Sequence, residues 1–247
     1  MRRRTTVAAL LALALGGTAI AADPAPSAAI TAAVADAARP AADTARDAAR
    51  KPAEIVSFAG VKPGDLVAEM LPGGGYYTRI LAKTVGPEGH VYLVVPAGFA
   101  QRPGGLDGLN ALAAQYGNVS VVTVNLTDFN LEKPVDLVWT TENYHDMHNG
   151  PTANPGGVND SAFRALKPGG IYFVEDHSAP GTGTSATSTL HRIDPAAVIS
   201  EVEAAGFQFE AQSDLLKNPA DPHTAGVRDP SIQGETDKFA IRFRKPG

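Results

Sequence analysis

Val67-Ala68-Glu69-Met70-Leu71-Pro72-Gly73-Gly74-Gly75-Tyr76-Tyr77-Thr78 is a short apolar run, a turn of three consecutive glycines and the start of an amphipathic segment. A strand that feeds a glycine turn and then a helix is how an open α/β sheet presents backbone N–H groups to a nucleotide-like ligand. Glycine suits the turn because a residue without Cβ lets the chain bend sharply and lets a ligand touch the backbone. The same alternation continues on the C-terminal side. Apolar runs predict strands over 65–70, 90–95, 119–124, 135–140, 171–175, 207–213 and 239–244. Amphipathic stretches predict helices over 76–85, 106–116, 160–166 and 195–205, the last with Asp194 placed to cap it. The strand runs are short and nearly unbroken, as expected where both faces of a sheet are covered. Such alternation predicts right-handed crossovers and a doubly wound, mostly parallel seven-stranded sheet of the α/β class.

The N-terminal end reads differently. Arg2-Arg3-Arg4 is followed by an apolar, small-residue run over 7–20, and Ala19-Ile20-Ala21 precedes Asp23 and Pro24. That order predicts a cleaved signal peptide over 1–22 and a periplasmic or secreted protein. The run is shorter than the roughly 20 residues a membrane span needs, so no membrane attachment is expected after cleavage. Residues 23–50 are Ala-rich with interspersed Asp and Arg and predict a helical extension or linker, lid-like, broken at Pro40. The α/β domain is expected over 51–247, opening with Pro52 in the first turn of a helix. The chain contains no Cys, which excludes disulfides, zinc–thiolate sites and a cysteine nucleophile. The formal charge of −5 becomes −8 once the three leader arginines are lost, which argues against nucleic acid or an anionic membrane as partner.

Five of the six histidines follow predicted strand ends. In a parallel sheet those loops gather at one rim, where ligands bind. His145 and His148 follow strand four, His177 strand five, His191 precedes a helix, and His223 lies after strand six. Glu142, Asp146, Glu175, Asp176, Asp194 and Asp221 share that rim, and Arg192 adds a cation. His145 reads either as a general base or, with His148, as a ligand of a divalent metal. Asp176-His177 reads as an orienter and base pair or as a loop pair bonded to backbone. In Leu190-His191-Arg192-Ile193-Asp194, His191 is a catalytic candidate and Arg192 could grip a carboxylate or phosphate, while Asp194 is expected to cap. Tyr144 could stack on a planar ligand or plug the core. The segment 178–188, small and polar, predicts a loop over the rim, and no Ser in it sits in a Gly-x-Ser-x-Gly elbow, which argues against a serine hydrolase.

Glu69-Met70-Leu71-Pro72-Gly73-Gly74-Gly75, Asp136-Leu137-Val138-Trp139 and Leu166-Lys167-Pro168-Gly169-Gly170, in this order, resemble the class I S-adenosylmethionine-dependent methyltransferases. Arg50-Lys51-Pro52, Asn143-Tyr144-His145-Asp146, Leu190-His191-Arg192-Ile193-Asp194 and Asn218-Pro219-Ala220-Asp221 are similar to signatures of an exported bacterial group within it. The resemblance spans about residues 46–246. It implies S-adenosylmethionine as cofactor, held by Glu69, Gly73, Gly74 and Gly75, and a small-molecule substrate near Asn143, Tyr144 and Arg192, with proton removal by His145 or His177. Two positions depart from the pattern: Leu71 stands where the loop usually has its first glycine, and Val95 ends strand two where a carboxylate usually holds the ribose. These departures leave a second expectation open: another enzyme on the same fold, with the His/Asp rim as an acid–base or metal-assisted hydrolase or lyase site. A third is a non-catalytic binder of a small anion.

Overall fold

The computed structural model describes residues 24–151 and 153–247; the predicted leader, 1–22, lies outside them. Seven strands form one sheet: β1 (Leu66–Met70), β2 (His90–Pro96), β3 (Val119–Val124), β4 (Val135–Thr141), β5 (Leu166–His177), β6 (Gln208–Ser213) and β7 (Lys238–Arg244). Their order is β3-β2-β1-β4-β5-β7-β6. Strands β1 to β5 pair in parallel, and β7 inserts antiparallel between β5 and β6. The order reverses between β1 and β4, the point at which an open α/β sheet leaves a crevice at its carboxyl edge.

Side-chain alternation along each strand splits the core in two. Val67, Leu93, Leu137, Trp139 and Phe173 face one helical layer. Ala68, Met70, Val94, Val138, Tyr172 and Val174 face the other. Adjacent residues of one strand point to opposite faces, so a strand buried on both sides must be apolar throughout.

Two predicted elements differ. The helix before β5 spans Pro155–Ala165 and starts earlier than read, with Asn154 accepting from the Gly157 amide as its cap. Gly156 and Gly157 in its first turn make that stretch look like loop. The fifth strand, read as 171–175, spans Leu166–His177, and Lys167-Pro168-Gly169-Gly170 form a bulge within it: Val135 pairs with Leu166 and Leu137 with Ile171.

The Ala-rich segment docks on the sheet's flank. Helix Ala28–Val34 packs against helices Tyr76–Val85 and Pro52–Ala59, and its Ile30 and Ala33 are buried in the core. The chain then breaks before Pro40, and the short helices Ala41–Thr44 and Asp47–Arg50 carry it across the N-terminal end of the glycine-turn helix. Arg39, Arg46 and Arg50 surround the Tyr76 ring at 5.4, 4.8 and 4.7 Å from its centroid. The Tyr76 hydroxyl donates to Asp47 at 2.6 Å, and Asp47 also takes both Arg39 Nη atoms. Cation–π and ion contacts thus tie the extension to the first residue after the glycines.

Candidate active site

Two cavities lie side by side at the carboxyl edge of the sheet. The first, of about 260 Å³, borders the glycine turn and is lined by Glu69, Leu71, Gly73, Gly74 and Asn143 among others. Gly73 and Gly75 adopt φ of 56° and 81°, which only glycine takes without strain. The Gly75 amide donates to the Pro72 carbonyl and closes the turn. Leu71 also sits at positive φ, 53°, where a side chain is strained. Its carbonyl accepts from Asn143 Nδ2 at 3.3 Å, and Asn143 Oδ1 accepts from the Thr140 hydroxyl. Glu69 accepts from Thr78 Oγ1 at 2.6 Å. Burial pushes the Glu69 carboxyl up to about 8, against that hydrogen bond and the nearby Arg79.

The second cavity, of about 450 Å³, is lined by His145, Asp146, His177 and His191, by Arg46 and Arg50 of the extension, and by Glu142 and Lys238. Asp176, wholly buried, organises it. Its Oδ1 lies 2.8 Å from His145 Nδ1 and accepts the His177 amide at 2.7 Å. Its Oδ2 accepts the His145 amide at 2.7 Å. A carboxylate can only accept, so His145 carries a proton on Nδ1, and the neutral form of the ring offers Nε2 as a lone pair. That Nε2 lies 3.3 Å from His191 Nδ1. Burial lowers the His145 pKa, but the hydrogen bond and charge of Asp176, with Asp146 and Glu142, outweigh it and hold the imidazole above its ordinary value. His177 goes the other way: burial takes it down to about 4 despite Asp176 and Glu142. Its Nδ1 lies 2.8 Å from Thr236 Oγ1.

Arg46, Arg50 and Glu142 border both cavities, and Lys238 reaches Glu142 from the side of the second. Glu142, itself at φ 55°, is bridged by Arg50 and by Lys238 Nζ at 3.2 Å. Burial opposes ionisation of Glu142, but Lys238 and Arg50 override it and keep its pKa well below the usual carboxylate range. Burial, and then the charge of Glu142, raise Glu175 behind it.

Of the residues singled out by sequence, His145, His177 and His191 line one cavity with Asp176 buried behind His145, and Glu69, Gly73, Gly74 and Asn143 line the other, with Gly75 buried at the turn's end. Three expectations are corrected. Arg192 does not face a ligand: it is fully buried, paired with Asp221 at 2.8 Å and spending Nε on the Ala225 carbonyl. Tyr144 is buried beneath the loop, its hydroxyl donating to Glu201 and taking Asn159 Nδ2, so it plugs the core rather than stacking on a ligand. His148 turns away from His145: its Nε2 lies 2.9 Å from Glu201, whereas His145 Nδ1 is held by Asp176 at 2.8 Å. The metal pair read from sequence is therefore not assembled. Asp194 caps helix Pro195–Ala204 as expected. Sequence reading missed Arg46, Arg50 and Lys238 as cavity walls. Two arginines four residues apart in an Ala-rich stretch were the available signal, since that spacing puts them on one side of a helical turn.

No family model matches the chain. A curated relative, the Protein-L-isoaspartate O-methyltransferase of Ignicoccus hospitalis, is 31% identical over 132 residues. That alignment takes 52% of this chain, which spans about half (55%) of the relative. A SAM-dependent methyltransferase from Aquifex aeolicus superposes with a TM-score of 0.55 at 17% identity, over 77% of this chain and 87% of the other. The [4+2]-cyclase SpnF gives 0.59 at 16% identity, over 83% and 81%. The 1,6-didemethyltoxoflavin-N1-methyltransferase of Burkholderia thailandensis, solved with S-adenosylhomocysteine, gives 0.54 at 17%, over 84% and 79%. A cyclase among these neighbours shows that the fold alone does not set the reaction. The strand order with its antiparallel β7, together with these superpositions, gives the chain the Rossmann-like fold of the class I S-adenosylmethionine-dependent methyltransferases.

Proposed function

We propose that the chain is an exported S-adenosylmethionine-dependent methyltransferase whose acceptor is a small molecule held in the histidine cavity. The observation that carries this reading is adjacency: the glycine-turn crevice and the histidine cavity share Arg46, Arg50 and Glu142 as a common wall. Methyl transfer needs a donor and an acceptor aligned in neighbouring sites, and a base when the acceptor is a hydroxyl or amine.

The crevice fits the amino-acid end of the cofactor. Gly73 and Gly74 leave open space where a side chain would stand, with no atom within 4 Å of an added Cβ. Glu69 and Asn143 supply polar groups beside them. Pro96, Val124 and Leu126 border a further cavity of about 350 Å³, whose apolar wall suits a purine face. Val95 brings no carboxylate to the ribose hydroxyls, which lowers the expected affinity by ten- to a hundredfold, about 1.5–3 kcal/mol. When bound, the cofactor supplies an electrophilic methyl group. Asp176 keeps His145 in one tautomer and one orientation, with Nε2 toward the acceptor. His145 takes the acceptor's proton at Nε2, and its hydrogen bond to Asp176 steadies the imidazolium that forms. His177, held neutral by burial, adds no competing positive charge beside it.

Calorimetric titration of the protein without residues 1–22 tests the reading. Binding of S-adenosylmethionine or its demethylated product with Kd below about 100 μM, close to 5.5 kcal/mol, is expected. Absence of binding to either would refute it. Export is supported by the Arg2-Arg3-Arg4, apolar-run and Ala19-Ile20-Ala21 order. N-terminal sequencing of protein recovered from the cell envelope should start near residue 22, and recovery only of cytoplasmic protein that begins at Met1 would overturn it.

A further inference from the structure

We propose that His145, His191 and Asp146 form a binding site for a divalent transition-metal ion of the zinc class, with its fourth position open to the histidine cavity. The geometry is the first argument. His145 Nε2 and His191 Nδ1 are 3.3 Å apart, and each lies 3.4 Å from Asp146 Oδ1. Three atoms at nearly equal spacing make one face of a tetrahedron. Zinc bonds of 2.0–2.1 Å in tetrahedral geometry put neighbouring ligand atoms about 3.3–3.4 Å apart, which are the edge lengths of this triangle. An octahedral site with similar bonds would need edges of about 3.0 Å, which disfavours magnesium.

The second argument is the support behind the ligands. A metal-binding imidazole usually donates its other N–H to a carboxylate, which fixes tautomer and ring plane. Asp176 does this for His145 at 2.8 Å while it also holds the His145 and His177 amides. His191 is held by backbone: it sits at φ 53°, at the end of helix Thr187–Leu190, and Ile193, two residues on, donates its amide to the His177 carbonyl at the end of β5 at 2.9 Å. Strained backbone kept in place by its surroundings is a device for fixing a functional side chain.

The third argument is access. All three groups border the 450 Å³ cavity, so a fourth ligand from solvent or substrate can reach the ion. Three protein ligands with one open position is the pattern of a catalytic zinc site rather than a structural one. An acceptor hydroxyl or thiol at that position would lose its proton to solvent at neutral pH, because the cation stabilises the anion left behind. The cation then replaces the lone pair of His145 as the agent of deprotonation. Only this last step rests on the methyltransferase reading; the binding does not.

The purified chain, stripped with chelator, is titrated with zinc by calorimetry and with Co(II) by visible absorption. One equivalent should bind, and Co(II) should give the intense bands of a tetrahedral ion. His191→Ala and Asp146→Asn, both partly exposed positions, should each weaken zinc binding at least tenfold, while His90→Ala at the far end of the sheet leaves it unchanged. No saturable binding, octahedral Co(II) bands only, or affinity indifferent to both substitutions would overturn the proposal. S-adenosylmethionine titrated into the same stripped protein separates the two readings: cofactor binding without zinc binding sinks only the metal site, and the reverse sinks only the methyltransferase.

Discussion

The glycine-turn crevice and the histidine cavity share a wall but are made of different material. The crevice is drawn mainly from one short stretch between Glu69 and Tyr77, whose glycines expose backbone, with residues 141–143 and the arginines of the extension closing it. The cavity is side chain, drawn from separate segments after β4 and β5, before helix Pro195–Ala204 and ahead of β7. A backbone site depends on torsion angles and tolerates most neighbours. A side-chain site depends on the buried group that aims its members, here Asp176. The cavity shows how far that aiming goes: His145 and His177, with ring centroids 6.1 Å apart, are driven to opposite sides of the ordinary imidazole value. Groups pushed apart in this way are the usual mark of acid–base work.

If the two regions have separate jobs, substitutions in them must separate rate from binding. His145→Gln removes the lone pair that faces the acceptor and should cut methyl transfer by a hundredfold or more, about 3 kcal/mol. Cofactor affinity should stay within about twofold by calorimetry, a change near 0.4 kcal/mol. A parallel fall in affinity would mean the cavities are one site. Within the turn itself, Gly75→Ala should cost about 2 kcal/mol in urea denaturation. Its φ is 81° and an added Cβ would stand 2.3 Å from Leu112 Cδ2. Gly74→Ala, which meets nothing within 4 Å, should leave stability within about 0.5 kcal/mol and weaken only the cofactor. Equal destabilisation by the two would undo the claim that Gly75 serves the fold and Gly74 the ligand.

The same contrast explains what could be read in advance. The sheet was legible because its strands leave short, mostly apolar runs between turn signals, and strand Val119–Val124 and helix Tyr76–Val85 fall where their patterns put them. The glycine turn was legible because its function resides in consecutive letters. The histidine cavity was half legible: topology alone brings His145, His177 and His191 to one rim. Which of the rim groups point inward depends on side-chain rotamer and on partners distant in the chain, and that is invisible in sequence. His145 and His148, three residues apart, part company there, and Arg192 leaves the site because Asp221, 29 residues later, claims it. The role of the extension was hidden for another reason. Its arginines contact Tyr76 and Glu142, partners too distant in the chain for any local pattern to announce.

Buried titratable groups on the two sides also oppose one another, and pH can separate them. Glu69 has a folded-state pKa of about 8 against an ordinary 4.5, so between those values the folded chain holds a proton that the unfolded chain has lost. Stability from this group is present at low pH and drains as pH rises through 8. His177, at about 4 against 6.5, does the reverse, and its contribution is lost as pH falls from 6.5 toward 4. Of this pair only Glu69 acts between pH 6.5 and 8. Over that interval wild type should lose about 1.5 kcal/mol more than Glu69→Gln in urea denaturation. Identical slopes for the two proteins would show Glu69 ionised in the native state.

Leu71 gives the finest test, because it is where the crevice departs most from a pure backbone site. It occupies φ 53° with a branched side chain beside the cavity, and Asn143 holds its carbonyl in that position. Left-handed backbone costs a side-chain-bearing residue about 1 kcal/mol, and the side chain takes up room a ligand could use. Leu71→Gly removes both penalties and forfeits some apolar burial, so net stability should change by less than about 1 kcal/mol. S-adenosylmethionine affinity should rise three- to tenfold, roughly 1 kcal/mol, with the His145-dependent rate unaltered once cofactor saturates. Unchanged affinity would clear Leu71 and move the deficit to the end of β2, where Val95 stands without a carboxylate. Weakened affinity would mean that the Leu71 side chain is itself part of the cofactor's bed, and the crevice would then be as dependent on side chains as the cavity beside it.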